Sequence, residues 1–341
     1  MPTTIVKTIG SGGDYTTLQS WEDAAPANYV TADQIWQGQI KAASDSFTSA
    51  TILLTISGGT VDSTRYAELT TATGASFRDN ANVQTNALRA NSANGCIITC
   101  TGNYVHAVNV GQNFSRLSNL QIVQSNGGGG GNSCLVDSIG SDTATLDLNN
   151  CIFESGGSGG VISLFGSNIK VRNSLIVQRG SGEANIANIK QGTKAYNCTF
   201  AVPSDKTACT NAVTGAYGAA TFTNCLFFGC SNVATGTAPT FTTCYTDDAT
   251  PPSGCTTATY GNQFQVTTDA TRDFRIKTGA DALDTGTTDS TNAPIDIAGT
   301  ARPSGSAYDV GCWELVAAAA NVYNIMTGRG GAAAQPLAVN Q

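Results

Sequence analysis

The sequence predicts an all-β solenoid in which short strands wind into stacked coils, and three observations point there. A six-residue pattern built around asparagine recurs without gaps along the middle of the chain. Apolar residues flank that asparagine at positions that put them on one face of an extended strand. The composition is turn-rich and poor in charge, with 38 Gly against 9 Pro, 40% hydrophobic residues and 12% charged ones in 341 residues. Such a chain is too apolar and too weakly charged to remain disordered.

The pattern appears in Leu117–Ile122, Leu148–Phe153, Val171–Ile176, Ala195–Phe200 and Phe222–Phe227, with a degenerate sixth copy at Phe241–Tyr245. Its polar corner falls at Asn119, Asn150, Asn173, Asn197, Asn224 and finally Thr243, at intervals of 31, 23, 24, 27 and 19 residues. One supersecondary turn per repeat fits this spacing, with insertions looping out. In each copy the residue two before the corner (Leu117, Leu148, Val171, Ala195, Phe222) and the residue three after it (Ile122, Phe153, Ile176, Phe200, Phe227) point inward. Asparagine suits the bend because it tolerates left-handed backbone angles and bonds to its neighbours. Stacked at the roughly 4.8 Å strand spacing, the copies place Asn on Asn and Cys on Cys. The product is a parallel β-helix.

The elements follow in order. Thr16 with Gln19 predicts a capping box, Leu18 and Trp21 share a helical face, and Pro26 stops the helix. Ile52–Ile56 is the clearest early strand. Residues 1–80 read as a cap and first coils, 81–246 as regular coils, 247–314 as closing coils and 315–341 as a C-terminal arm. The run Gly127–Gly131 reads as a loop leaving one corner. It lacks the Lys-Ser/Thr sequel of a phosphate cradle.

The register, together with Gly12–Pro26 and the closing segments Asp273–Lys277, Ala282–Gly286, Asp296–Gly299, Arg302-Pro303 and Asp309–Glu314, resembles right-handed parallel β-helix proteins with a pectate-lyase-like fold, of the bacteriophage and bacterial type. That resemblance implies an internal asparagine ladder, an N-terminal helix plugging the first coil, and a phage virion component. A homotrimer is implied only by likeness to phage β-helix spikes.

Charge excludes some partners. The net charge of −7 supplies no basic footprint for nucleic acid or an anionic membrane. The longest apolar-looking stretch, Leu315–Met326, is broken by Asn321 and Asn324 and falls short of the roughly 20 residues that span a bilayer. Met1–Lys7 carries no secretory signal pattern, and the resemblance then implies a virion assembled in the host cytoplasm as the expected location.

Chemistry is sparse. A glycosidase needs paired carboxylates, and a lyase needs carboxylate-bound Ca²⁺ with a basic residue. Asp247-Asp248 and Arg275-Ile276-Lys277 are the fragments that invite such a reading, but the Asn-Thr-Asp and Gly-His-Gly elements of polygalacturonases are missing, and Arg275 belongs to the closing motif. Carboxylates in the central coils are Asp137, Asp142, Asp147, Glu154, Glu183 and Asp205. Three residues before each corner, Arg116, Asp147, Lys170, Lys194 and Thr221 form an outward column, read as a charge ladder with Asp147 between cations. His106 reads as a strand side chain. No catalytic set, cofactor site or metal centre is read. Of the 11 cysteines, Cys151, Cys198, Cys225 and Cys244 are expected as thiols following the corner, and any disulfide among Cys209, Cys230, Cys255 and Cys312.

The expected function is therefore that of a structural bacteriophage virion protein, a non-enzymatic β-helix module decorating or linking the head or associated with the tail. A tailspike-like glycan-binding or glycan-cleaving protein is the alternative; as an enzyme it would be a polysaccharide lyase or glycoside hydrolase. The partners are other virion proteins or the chain itself. Val322, Tyr323, Ile325, Met326, Arg329, Leu337 and Val339 in the arm are the expected docking residues.

Overall fold

The computed structural model describes residues 1–79, 86–102, 105–125, 135–138, 145–156, 161–164, 168–180, 184–189, 192–216, 220–236 and 239–316. It is a right-handed parallel β-helix of about 7 turns. Among the described residues, two nine-stranded sheets and one seven-stranded sheet, all parallel, form its three faces. The first sheet runs from Thr3–Ile9 to Thr240–Thr242, the second from Leu54–Ile56 to Cys230–Gly236, and the third from Ser46–Ser49 to Cys255–Thr257. Among the described residues no helix is long and apolar enough to cross a membrane.

The repeat register is the strand register. Leu117, Leu148, Val171, Ala195, Phe222 and Phe241 pair in succession across the first sheet. Across the third, Ile122, Phe153, Ile176, Phe200 and Phe227 do the same. All but Phe241 are fully buried, and Phe200, Phe222, Phe227 and Phe241 form one aromatic stack with centroids 5.1–6.1 Å apart.

Between these sheets lies the corner. Asn119, Asn150, Asn173, Asn197, Asn224 and Thr243 all adopt positive φ, from 47° to 61°. Most side chains avoid that region, whereas asparagine enters it readily. Each corner amide of the five asparagines donates to the next coil, as from Asn197 N to Thr223 O at 2.9 Å. Side-chain amides link Asn150 to Asn119 at 3.5 Å and Asn224 to Asn197 at 3.3 Å.

The N-terminal helix forms at Leu18–Asp23 with Leu18 and Trp21 buried. Its cap is Thr17 with Ser20 rather than Thr16 with Gln19. Gln19 is drawn away to the first strand of the second sheet, where it accepts from Thr55 N at 2.8 Å. That strand is Leu54–Ile56, shorter than Ile52–Ile56, because Ile52 is exposed.

The closing region departs from the expectation of further coils. Only Cys255–Thr257 adds a strand to the stack. Beyond it the chain turns back and lies along the outside of the third sheet. Phe264, Phe274, Ile276, Ala282, Ile297, Val310 and Trp313 there pack on Ile152, Leu175, Val177, Ala201, Leu226 and Phe228, forming a second core. The cause is visible in the strands: Leu175-Ile176-Val177 and Leu226-Phe227-Phe228 are apolar on both faces, and a parallel strand of that kind needs cover on both sides. The layer also seals the corner, with Asn197 Nδ2 donating to Asp309 O at 3.0 Å and Asn224 Nδ2 to Thr287 O at 2.7 Å.

Candidate functional site

The groups that sequence flagged for catalysis are occupied elsewhere. Both Asp247 oxygens accept from Gly229 N, at 3.1 and 3.0 Å, while Asp248 accepts from Val233 N and Thr250 N. The adjacent carboxylates therefore hold two different backbone segments and share no reaction centre. Burial raises the Asp247 pKa, an effect opposed by these amides. Arg275 grips Asp273 at 2.5 Å, and Lys277 Nζ donates to Gly261 O.

The motif residues of the closing layer serve one another. Arg302 is fully enclosed and donates to the carbonyls of Asp309 and Gly311 and to Glu314 at 3.2 Å. Asp296 receives Ala298 N, Thr300 N and Glu314 N. Asp309 receives Asp284 N and Leu315 N. Burial raises the pKa of Asp296, Asp309 and Glu314 in spite of these donors and Arg302. Further along, buried Glu154 pairs with Arg272, and Asp269 is shared by Arg179, Lys206 and Arg272.

Two expectations need correction. His106 precedes the strand Val108–Val110 and lies 3.5 Å from the carboxylate of Asp137, whose pKa is raised by burial. Cys255, expected outside the file of corner cysteines, pairs with Cys244 in register and extends it. Cys209 and Cys230 are likewise register partners in the second sheet, and these two, with Cys255 and Cys312, are free thiols. Cys151 is fully enclosed, and burial pushes its thiol up to about 12. Among the described residues no group of three or more His, Cys, Asp or Glu is placed to hold a metal.

Among the described residues, the most site-like feature is a cleft of about 360 Å³ on the outer face of the first sheet, lined by Tyr66, Phe114, Arg116, Asp147, Lys170 and Lys194 among others. Register builds it: Arg116, Asp147, Lys170 and Lys194 are successive partners in the strands Ser115–Ser118, Leu146–Asn149, Lys170–Arg172 and Lys194–Tyr196. The outward column predicted from sequence is thus present, but its pairing differs. Asp147 is held by Arg172, two residues along the neighbouring strand, at 3.0 and 2.5 Å, because the guanidinium fork matches a carboxylate at that diagonal. The Arg116 guanidinium lies instead over the ring of Tyr66, 4.0 Å from its centroid. Tyr66 and Phe114 were missed by sequence reading, and Tyr66 lies 50 residues upstream of Arg116, so only the coil register unites them.

The five corner asparagines stand in one file. The arm residues Val322, Tyr323, Ile325, Met326, Arg329, Leu337 and Val339, with Gly127–Gly131, Asp142 and Glu183, lie outside the described residues.

No protein-family model matches the chain, and no curated protein does. Among solved structures, a pectin methylesterase from Aspergillus niger is 16% identical with a TM-score of 0.42, over 84% of this chain and 92% of that one. Pectate lyase Pel9A is 11% identical with a TM-score of 0.41, over 92% of this chain and 97% of that one. The chain is a parallel β-helix, covered along its third sheet by its own C-terminal layer.

Proposed function

We propose that this chain is a structural, non-enzymatic β-helix module on the surface of a bacteriophage particle, serving in head decoration or linking or in the tail. The observation that carries the non-enzymatic part is the commitment of Asp247, Asp248 and Arg275 to amides and ion pairs, which leaves no pair of acids facing a common space there. The likeness of the opening and closing segments to phage β-helix proteins supports the virion part. Its partners are other virion proteins or further copies of the chain in a trimer, engaged through the arm.

Mass spectrometry of purified particles tests the location: hundreds of copies support head or tail-tube decoration, and absence from particles refutes it. Purified protein is expected to release no reducing sugar or unsaturated uronate from polygalacturonate or host capsule. Release abolished by Asp247→Asn or Asp248→Asn would refute the non-enzymatic reading.

A second reading, a glycan-binding spike, is favoured by one observation, the cationic cleft on the first sheet of a chain whose net charge is −7.

A further inference from the structure

We propose that this cleft binds a saccharide carrying ester-linked anions, sulfate or phosphate, with Arg116, Lys170 and Lys194 taking the charge and Phe114 packing against a sugar ring. The inference rests on the glycan-binding reading and names its site and ligand class.

Three features point the same way. First, Lys170 and Lys194 are direct cross-strand partners, both exposed on the outer face. Like charges set opposite one another destabilise a sheet, and neither ammonium has an acidic partner within ion-pair distance among the described residues. The acid of the column is engaged first by Arg172, which bonds both its oxygens. An anion bridging adjacent coils removes that repulsion.

Second, Phe114 holds a φ of 51° at the lip of the cleft. A bulky side chain in the left-handed region costs roughly 1–2 kcal/mol, and such strain clusters at functional sites. The corner asparagines share this angle with a residue type suited to it; Phe114 does not. Phe114 lines the cleft together with that column and offers the apolar face of a sugar an aromatic neighbour.

Third, the donors that remain select charge density over planar shape. A guanidinium fork reads a carboxylate bidentately, whereas an ammonium acts as a point charge. The fork of Arg172 is already filled by Asp147, and the Arg116 guanidinium stands over the Tyr66 ring. Two ammoniums without an acidic partner among the described residues, and one guanidinium over an aromatic ring, suit a tetrahedral anion better than a uronate. The volume, about 360 Å³, is at the lower end for small-ligand sites and fits a short stretch of sugar rather than a folded partner.

The test uses the full chain and calorimetric or interferometric binding to four size-matched probes: a sulfated dextran oligosaccharide, oligogalacturonate, neutral dextran and a single-stranded oligonucleotide. The sulfated probe is expected to bind most tightly and to weaken with salt. Lys170→Ala with Lys194→Ala should lower its affinity about tenfold, and Phe114→Gly should lower it without changing the salt slope. Lys41→Ala, on the N-terminal cap, should leave it unchanged. Equal binding of the sulfated probe to the double variant overturns the site while leaving the glycan reading standing. Equal affinity for oligogalacturonate or the oligonucleotide overturns the ligand class. Failure of wild type to bind any saccharide removes both.

Discussion

Phe227 and Phe228 are neighbours in the strand Leu226–Phe228 and face different cores. Phe227 points inside the coil and is fully buried, with rings of Phe200, Phe222 and Phe241 at 5.1, 5.5 and 5.7 Å. Phe228 points outward, equally buried, against Tyr260 at 5.2 Å and Phe264 at 5.5 Å. Truncating either to alanine removes a buried aromatic ring from a packed site, at a cost of about 3–5 kcal/mol. The cost should fall in different places. Phe227→Ala interrupts the stack through which one coil supports the next, so amide exchange should rise in the strands around Thr199–Ala201, Thr221–Thr223 and Thr240–Thr242. Phe228→Ala weakens only the grip of the outer layer, so exchange should rise in residues 260–276 and 280–313 while the inner strands stay protected. Peptide-resolved hydrogen exchange separates the two patterns. If Phe228→Ala deprotects the coils as much as Phe227→Ala does, the outer layer is not a distinct unit and the two-core reasoning is wrong.

Other expectations are briefer. Asn224→Ala should destabilise by about 1–2 kcal/mol through its φ of 54°, beyond the loss of its bond to Thr287 O; Asn224→Gly should spare the backbone part, and equal costs in denaturant titration would refute that. Acid should loosen the Asp269 cluster: although burial raises its pKa, the bond from Arg179 and nearby cations bring it below the ordinary 3.8. A lowered folded pKa gives stability that is present above the unfolded value and lost as pH falls through the folded one, so Asp269→Asn should flatten that part of an acid-unfolding curve. Asp296, Asp309 and Glu314, with pKa values raised by burial, act oppositely, their contribution being present at low pH and lost as pH rises through the folded values. Deleting residues 317–341 should leave the far-ultraviolet spectrum of the β-helix intact while abolishing particle attachment; a truncated chain that still joins particles at normal copy number removes the arm as anchor.

The corner was readable because Asn119, Asn150, Asn173, Asn197 and Asn224 each repeat one backbone requirement at a fixed distance from inward apolar residues. Periodicity captured the inward half of each strand and missed the outward half, since Leu175, Val177, Leu226 and Phe228 break the alternation. Runs of three apolar residues were the available signal that a second layer covers them. The cleft was half visible, as a column of charges at one register position. Its pairing was not, because Arg172 reaches Asp147 along a diagonal and Tyr66 arrives from an earlier coil.

Solenoids usually behave as one-dimensional arrays in which each coil knows only its neighbours, so that they can peel from an end. The backward-running layer changes that behaviour. One continuous segment binds Asn224 through Thr287, Asn197 through Asp309 and Glu154 through Arg272, tying the neighbouring coils of Asn197 and Asn224 to the non-adjacent earlier coil of Glu154. It works as a splint: a force drawing the last coil away must first strip the splint from the earlier ones. Such a solenoid fails as a whole or holds, where an unsplinted one would lose its coils one at a time.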